Sequence, residues 1–333
     1  VTHEVCMGRS ADFSLKKGNA AKIPTGGMLP GGADAVVMFE HTQSPDETTL
    51  EVLKPVAPRE NVIAAGEDIR KGELILKKGS MLRPHDVAAL AGVGVTAVSV
   101  YEKPRVAIIS TGDEIVPSDH PLKPGQVRDI NSLSLVGLIL DHGGIPLKKG
   151  IFRDDYAEIR DVVIQSLKEA ALVIITGGSS VGTMDMTAKV IQSIGSPGVL
   201  FHGVTLKPGK PTIGGVVQGI PVFGLPGHPA AVAVCFGLFI APVLKKLTGV
   251  IEKEYVEKKR TMKARIAKNV SSSAGREEHV RVALEEREGE LWAVPVLGKS
   301  GLIRTFVLAD GTIVIPAHVR GIPEGETVEV VLF

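Results

Sequence analysis

Ile175-Thr176-Gly177-Gly178-Ser179-Ser180-Val181-Gly182-Thr183-Met184-Asp185 follows an unbroken apolar run over 170–175. A run of that length and composition predicts a strand buried on both faces, as in a parallel sheet covered by helices. The segment after it sets a glycine-rich turn, two hydroxyls and a carboxylate at the strand's carboxyl end, where open α/β sheets bind ligands. Glycines there let backbone N–H groups come close to an anion, and small side chains leave room for it. Gly177, Gly178, Ser179, Ser180, Gly182 and Asp185 are therefore read as a phosphate- or pterin-contacting turn; the same pattern also serves as an ordinary tight turn.

Working outward, apolar strands at 106–110, 172–176 and 221–224 alternate with helical stretches at 132–141, 156–170, 186–194 and 230–247. Strand–helix alternation predicts a three-layer α/β domain with a parallel-rich sheet over 104–249. Residues 1–62 are rich in Gly and Pro with short β-branched runs at 35–39 and 48–52. They read as a small β domain. Residues 63–103, with a helix at 84–91 and a strand at 97–101, read as a partial linking domain. Short strands and turns at 287–290, 310–311 and 323–325 mark a second β domain over 250–333.

The chain of 333 residues, 44% hydrophobic, can bury several cores. A formal charge of +1 and 4% aromatics argue against a nucleic-acid surface. The two cysteines, Cys6 and Cys235, have no metal-ligand spacing and fit a reducing cytoplasm. The longest apolar stretch, 230–244, contains Pro242 and suits a buried helix better than a membrane span. Val1 opens the chain on residues resembling the interior of a domain, so the sequence reads as one lacking its natural N-terminus.

Three further loops carry chemistry. Ser110-Thr111-Gly112-Asp113-Glu114 ends the first strand, and its adjacent carboxylates could hold Mg²⁺, act as a general base or receive ligand donors. A plain Asp-capped turn is the structural alternative. Asp129-Ile130-Asn131-Ser132 follows, with Asn or Ser as N-cap. Lys207-Pro208-Gly209-Lys210-Pro211 stiffens a pair of cations suited to phosphate or an oxyanion. Gly224-Leu225-Pro226-Gly227-His228-Pro229 opens a helix whose free N–H groups would form an anion site, with His228 beside it. Together the four loops imply an anionic, phosphorylated ligand with a divalent cation.

In order and spacing these motifs resemble the molybdopterin molybdotransferases, the family to which the C-terminal part of gephyrin belongs. Ile23-Pro24-Thr25-Gly26-Gly27, Ala33-Asp34-Ala35-Val36-Val37, Gly66-Glu67-Asp68-Ile69, Gly298-Lys299-Ser300-Gly301 and Gly325-Glu326-Thr327-Val328 extend the resemblance over the chain. It implies a multidomain α/β protein with a molybdopterin-binding domain, a flanking β domain, a linking domain and a C-terminal β-barrel. It further implies a homodimer that inserts molybdenum from molybdate into adenylylated molybdopterin, releasing AMP, with molybdopterin adenylyltransferase as a partner.

Carried onto this sequence, the implied catalytic residues are Asp68, Glu114 and Asp185, and the metal ligands are Asp113, Glu114 and Asp185. Substrate binding falls to Thr25, Thr111, Gly112, Asp113, Asp129, the 177–182 loop, Lys207, Lys210, Pro226, Gly227, His228, Arg281 and Ser300. Ser179, Thr183, Met186 and His228 stand where the family has Val, Glu, Tyr and Asn, and its upstream Met-Asp-Gly-Tyr-Ala segment has no counterpart. These departures bear on turnover more than on binding. They keep a non-catalytic pterin-binding scaffold or sensor in view, and molybdopterin adenylyltransferase, which shares the α/β fold, is the enzymatic alternative.

Overall fold

The computed structural model describes residues 1–177, 181–250 and 260–333, with no side-chain description for 181–184. The chain falls into two compact units, Val1–Lys77 and Lys78–Phe333. The first carries strands of two residues each, His3–Glu4 with Ala21–Lys22 and Thr42–Gln43 with Glu51–Val52. Val5 and Pro30 are its buried apolar side chains among the described residues. The strand expected at 35–39 is extended chain running into a 3₁₀ turn, Phe39–His41; Val36 N–H donates to the Glu60 carbonyl at 3.0 Å, but no ladder forms there among the described residues.

The second unit opens with helix α1 (Pro84–Gly92), as expected, whereas 97–101 forms no strand. Its centre is a six-stranded sheet. In chain order the elements are β1 (Arg105–Thr111), α2 (Asn131–Asp141), β2 (Ile145–Phe152), α3 (Tyr156–Leu167), β3 (Leu172–Gly177), α4 (Val181–Ser193), β4 (Pro197–His202), β5 (Ile213–Val217) and β6 (Ile220–Leu225). The last helix, α5, runs Pro229–Leu247 with a π turn at Phe236–Ile240. The sheet order is β4-β5-β6-β3-β1-β2; β6, β3, β1 and β2 are parallel, and β5 pairs antiparallel with β4 and β6.

Side-chain alternation sends Ala107, Ile109, Val173 and Ile175 to the face covered by α3 and α4. Val106, Ile108, Leu172 and Ile174 point to the opposite face, under α2 and α5. Fully burying each such aliphatic side chain stabilises the fold by about 1.5–3 kcal/mol. At 19 residues α5 is longer than the apolar stretch suggested, and it is long and apolar enough to cross a membrane. Here it is a core helix, with Val232, Cys235, Phe236, Ile240 and Leu244 fully buried against the sheet.

The C-terminal part is a closed five-stranded barrel of β7 (Thr261–Ile266), β8 (Glu277–Arg287), β9 (Glu290–Pro295), β10 (Gly311–Ile315) and β11 (Thr327–Leu332). The order β8-β9-β7-β11-β10 returns to β8. Glu288 and Gly289, both at positive φ, make the two-residue turn between β8 and β9 that the strand twist favours. Ile266, Val282, Ala293, Ile315 and Val330 fill the interior.

Candidate functional site

Three neighbouring parallel strands, β6, β3 and β1, end side by side, and each carboxyl end runs into a loop singled out by sequence. Thr111 and Gly177 are directly paired there. Gly177 sits at φ +138°, and a Cβ on it would lie 1.8 Å from the Thr111 carbonyl oxygen. Only glycine fits. Gly178, Ser179 and Ser180 lie outside the described residues, and Gly182 belongs to the first turn of α4. That helix begins at Val181, five residues earlier than the apolar pattern suggested. Asp185 is therefore inside the helix and does not cap it. Its half-exposed carboxylate stands 3.9 Å from His202 Nε2 at the end of β4.

The β1 loop turns at Gly112 (φ +144°), whose N–H donates to the Phe152 carbonyl at 3.1 Å. Asp113 is exposed and accepts from the Asp154 backbone N–H at 3.4 Å. Glu114 is half-buried beside Gly112. Thr111 is buried, and its hydroxyl lacks a hydrogen-bond partner among the described residues. No group of three or more His, Cys, Asp or Glu among the described residues is placed to cage a metal ion.

Asp129 is nine-tenths buried and takes the capping role that the sequence offered to Asn131 or Ser132. It accepts from Ser110 Oγ at 2.8 Å and from the Ser132 backbone N–H at 3.0 Å. Asn131 does something the sequence did not disclose. Its amide donates to Thr176 Oγ1 at 3.2 Å and to the Gly227 carbonyl at 2.8 Å. Sequence spacing marked Asn131 as a helix-start residue, and position alone could not show that it reaches two other loops.

The lysine loop is shared with the barrel. Leu206–Lys207 pairs in parallel with Glu277–Glu278 at the start of β8. Lys207 Nζ lies 2.8 Å from Glu278 Oε1, and Glu278 also accepts from Ser272 Oγ at 2.8 Å. Lys210 is exposed and has no carboxylate partner among the described residues. Beneath the loop, a Cβ on Gly209 would lie 2.6 Å from Cys235 Sγ. Thr212 Oγ1 sits 3.0 Å from that sulfur and donates to the Gly209 carbonyl at 2.7 Å. Burial pushes the Cys235 thiol up to about 11.

The start of α5 is less open than its sequence implied. Pro229 has no N–H, Ala230 donates to the Ser300 carbonyl at 3.4 Å, and Ala231 and Val232 donate to the His228 carbonyl. The first turn's donors are thus engaged within the protein, so the anion site expected from free N–H groups is not what this helix offers. His228 is exposed, Pro226 is buried, and the barrel's Gly301 lies beside the His228 ring. Arg281, on β8, stacks its guanidinium 5.2 Å from the Phe306 ring centroid; its Nε lacks a partner among the described residues, and burial lowers its pKa. Thr25 and Asp68 are exposed turn residues of the first unit.

Three family models match the chain in succession. They are described as "MoeA N-terminal region (domain I and II)" over residues 2–94, "Probable molybdopterin binding domain" over 107–246, and "MoeA C-terminal region (domain IV)" over 263–333. The molybdopterin molybdenumtransferase of Bacillus subtilis is 32% identical over 336 residues, covering 100% of this chain and 77% of that protein. The chain belongs to the molybdopterin molybdenumtransferase family.

A second molybdopterin molybdenumtransferase, from Staphylococcus epidermidis, is also 32% identical, with 100% and 78% covered. The crystal structure of the molybdopterin biosynthesis MoeA protein of Pyrococcus horikoshii superposes with a TM-score of 0.81 at 41% identity, covering 100% of this chain and 80% of that one. The expected multidomain α/β architecture, with its parallel-rich central domain and C-terminal barrel, is the one this molybdenumtransferase-family chain adopts.

Proposed function

We propose that the protein is a molybdopterin molybdenumtransferase, inserting molybdenum from molybdate into adenylylated molybdopterin with release of AMP. The observation carrying this reading is the row of strand-end loops in a chain whose full length matches that family. The domain roles follow the family: a β domain over 1–62, a linking and dimerisation segment over 63–103, the molybdopterin-binding domain over 104–249 and the barrel over 250–333. The working form is a cytoplasmic homodimer, receiving its adenylylated substrate from molybdopterin adenylyltransferase.

The 177–182 loop, Thr111, Gly112, Asp129, Pro226, Gly227 and His228 contact the pterin and phosphates. Lys207 and Lys210 hold molybdate or phosphate oxygens, Arg281 and Ser300 add binding contacts on the same unit, and Thr25 is a substrate-binding residue of the N-terminal unit. Asp68, Glu114 and Asp185 serve catalysis by positioning the reacting groups and stabilising charge. Mg²⁺ is bound by one or two carboxylates together with substrate phosphates rather than by an all-protein cage. The adjacent Asp113 and Glu114 fit that donor set; Asp185, expected from the sequence as a third ligand, forms no metal-holding group with them among the described residues and pairs instead with His202. Held there, the ion would supply neutralisation of phosphate charge.

The barrel favours this activity over adenylyl transfer, because its first long strand is paired with the lysine loop. AMP release from adenylylated molybdopterin, dependent on added molybdate, tests the reading. ATP consumption with free molybdopterin would assign the adenylyltransferase instead, and tight pterin binding with neither reaction would assign a scaffold or sensor. Since Asp185 does not cap α4, Asp185→Asn should leave the melting temperature unchanged while slowing AMP release by roughly 10²-fold or more. Near-normal release from that variant would remove Asp185 from the chemistry.

A further inference from the structure

The segment Asp129–Ser132 reaches three strand ends at once. Asp129 binds Ser110 at the end of β1, and it anchors the start of α2 through the Ser132 N–H. Asn131, 8% exposed, spends both amide hydrogens on the other two strands: one on Thr176, next to the last residue of β3, and one on Gly227, just past β6. Ser110 and Thr176 project to the same face of the sheet as Ile108 and Ile174, the face on which α2 packs. The amide's orientation is determined by its partners, since only the NH₂ group can donate to the Gly227 carbonyl.

We propose that Asn131 is a positioning residue for molybdenum insertion, one that sets the separation of the end of β3, at Thr176-Gly177, and the Pro226-Gly227-His228 loop. The inference rests on the proposed activity for its kinetic readout, but its geometry stands independently. Thr176 directly precedes Gly177, and Gly227 directly precedes His228, so each bond acts one residue from a candidate ligand contact. One planar amide spans both, and the distance between Thr176 and Gly227 becomes the width of that group.

The residue type follows from the same geometry. Aspartate would turn a carboxylate oxygen on the Gly227 carbonyl and leave that acceptor without a donor. Serine is too short to span the two loops, and glutamine adds a methylene to a buried position. The Asn131 Oδ1 atom has no partner among the described residues, so the side chain's whole hydrogen-bonding output goes to the two loops.

The test compares wild type, Asn131→Asp, Thr176→Val and Thr176→Ser. Folded fraction is measured by calorimetric melting, and AMP-release kinetics are expressed per folded molecule. Affinity for adenylylated molybdopterin is measured by titration calorimetry in the absence of molybdate. A displacement of about 1 Å costs roughly 10²-fold in rate. Asn131→Asp should lower kcat per folded molecule by about that factor and weaken pterin affinity roughly tenfold. Thr176→Val, which removes one acceptor, should show a smaller drop in kcat, and Thr176→Ser, which keeps the hydroxyl, should restore it.

A purely structural Asn131 would lower the folded fraction and leave kcat, KM and affinity of the surviving molecules within twofold of wild type. That result overturns the proposal. Should Asn131→Asp fail to fold, equal kcat and affinity in the Thr176 pair and wild type overturns it as well. If wild type itself releases no AMP, the activity reading falls, while the affinity comparison still decides the role of Asn131.

Discussion

The N-terminal unit and the central α/β domain hold candidate site residues in opposite ways. Thr25 and Asp68 lie on exposed turns of a unit with two-residue strands and, among its described residues, only Val5 and Pro30 as buried apolar side chains. Ser110, Asp129, Asn131 and Thr176 are nine-tenths buried or more and bonded in two pairs, Ser110 to Asp129 and Thr176 to Asn131. Local turn bonds such as Gly27 N–H to Pro24 carbonyl support the first set, and a sheet buried on both faces supports the second. Geometry is thus built into the central domain before any ligand arrives. The exposed apolar residues of the first unit, among them Met28, Phe39 and Ile63, leave it with little core of its own.

The largest effect that separates the two regions should come from paired glycine substitutions. Gly177→Ala would drive a methyl into the Thr111 carbonyl, 1.8 Å from the ideal Cβ, and should cost about 4 kcal/mol or more in urea denaturation. Gly18→Ala in the N-terminal unit has the same sign of φ (+88°) but open space around it, and should cost about 1 kcal/mol. Similar losses at both positions would show that the central strand ends are no more tightly built than the N-terminal turns.

The two cysteines sharpen the contrast chemically. Cys6 is exposed and Cys235 is buried in the central core, with its thiol held at about 11. Native protein should therefore give one fast and one protected thiol toward alkylation. The folded pKa is raised, so the unfolded thiol ionises first and stability falls as pH rises. The contribution is intact below about 9 and lost on approach to 11, amounting to about 2 kcal/mol. Cys235→Ser, which shifts the ionisation out of this range, should flatten that alkaline limb.

Within the central domain the two lysines are unequal. Lys207 is already paired with Glu278, whereas Lys210 is not. Lys210→Ala should weaken binding of molybdate or the adenylylated pterin by about 1.5 kcal/mol at low salt, and Lys207→Ala by less. Glu278→Gln should tighten binding by releasing Lys207. Equal losses for the two lysines, with no gain from Glu278→Gln, would exclude Glu278 as a brake on the loop.

The smallest effect belongs to the N-terminal unit. The backbone N–H of Thr48, with the Thr48 hydroxyl and then Thr49, holds the Asp46 carboxylate down at about 2. A depressed carboxylate stabilises its turn above the ordinary value of 3.8 and loses that contribution as pH falls through about 2. Amide chemical shifts of Thr48 and Thr49 should titrate in that window, while those of β1 and β3 should not.

How much of this the sequence disclosed depends on what each residue does. β1 and β3 were legible because a strand buried on both faces is apolar without interruption. β2 was not, since Pro146, Lys148, Lys149 and Gly150 read as a loop; an edge strand tolerates proline and lysine because one side carries no ladder. β5 was hidden by Gly214 and Gly215, which resemble a turn but make room for the Phe201 ring and the Gly198 carbonyl. The start of α4 was missed because glycines and hydroxyls at 177–183 carry no helical period. Conversely, the β-branched run at 97–101 promised a strand that found no partner. The strand-end loops could be found from composition, but their ties could not. Asn131 to Gly227 and Lys207 to Glu278 join segments distant in the chain, and no local pattern encodes a tertiary bond.

The short pairing of Leu206–Lys207 with Glu277–Glu278 makes the barrel a splint for the lysine loop. The loop's shape is then inherited from sequence some seventy positions downstream, so a deletion that trims the barrel edits the loop without touching its letters. Boundaries chosen to isolate the α/β domain would yield a polypeptide that keeps every strand-end motif and lacks the support for one of them. Mutations at the start of β8 would then read, in a genetic screen, as lesions in a loop they do not belong to.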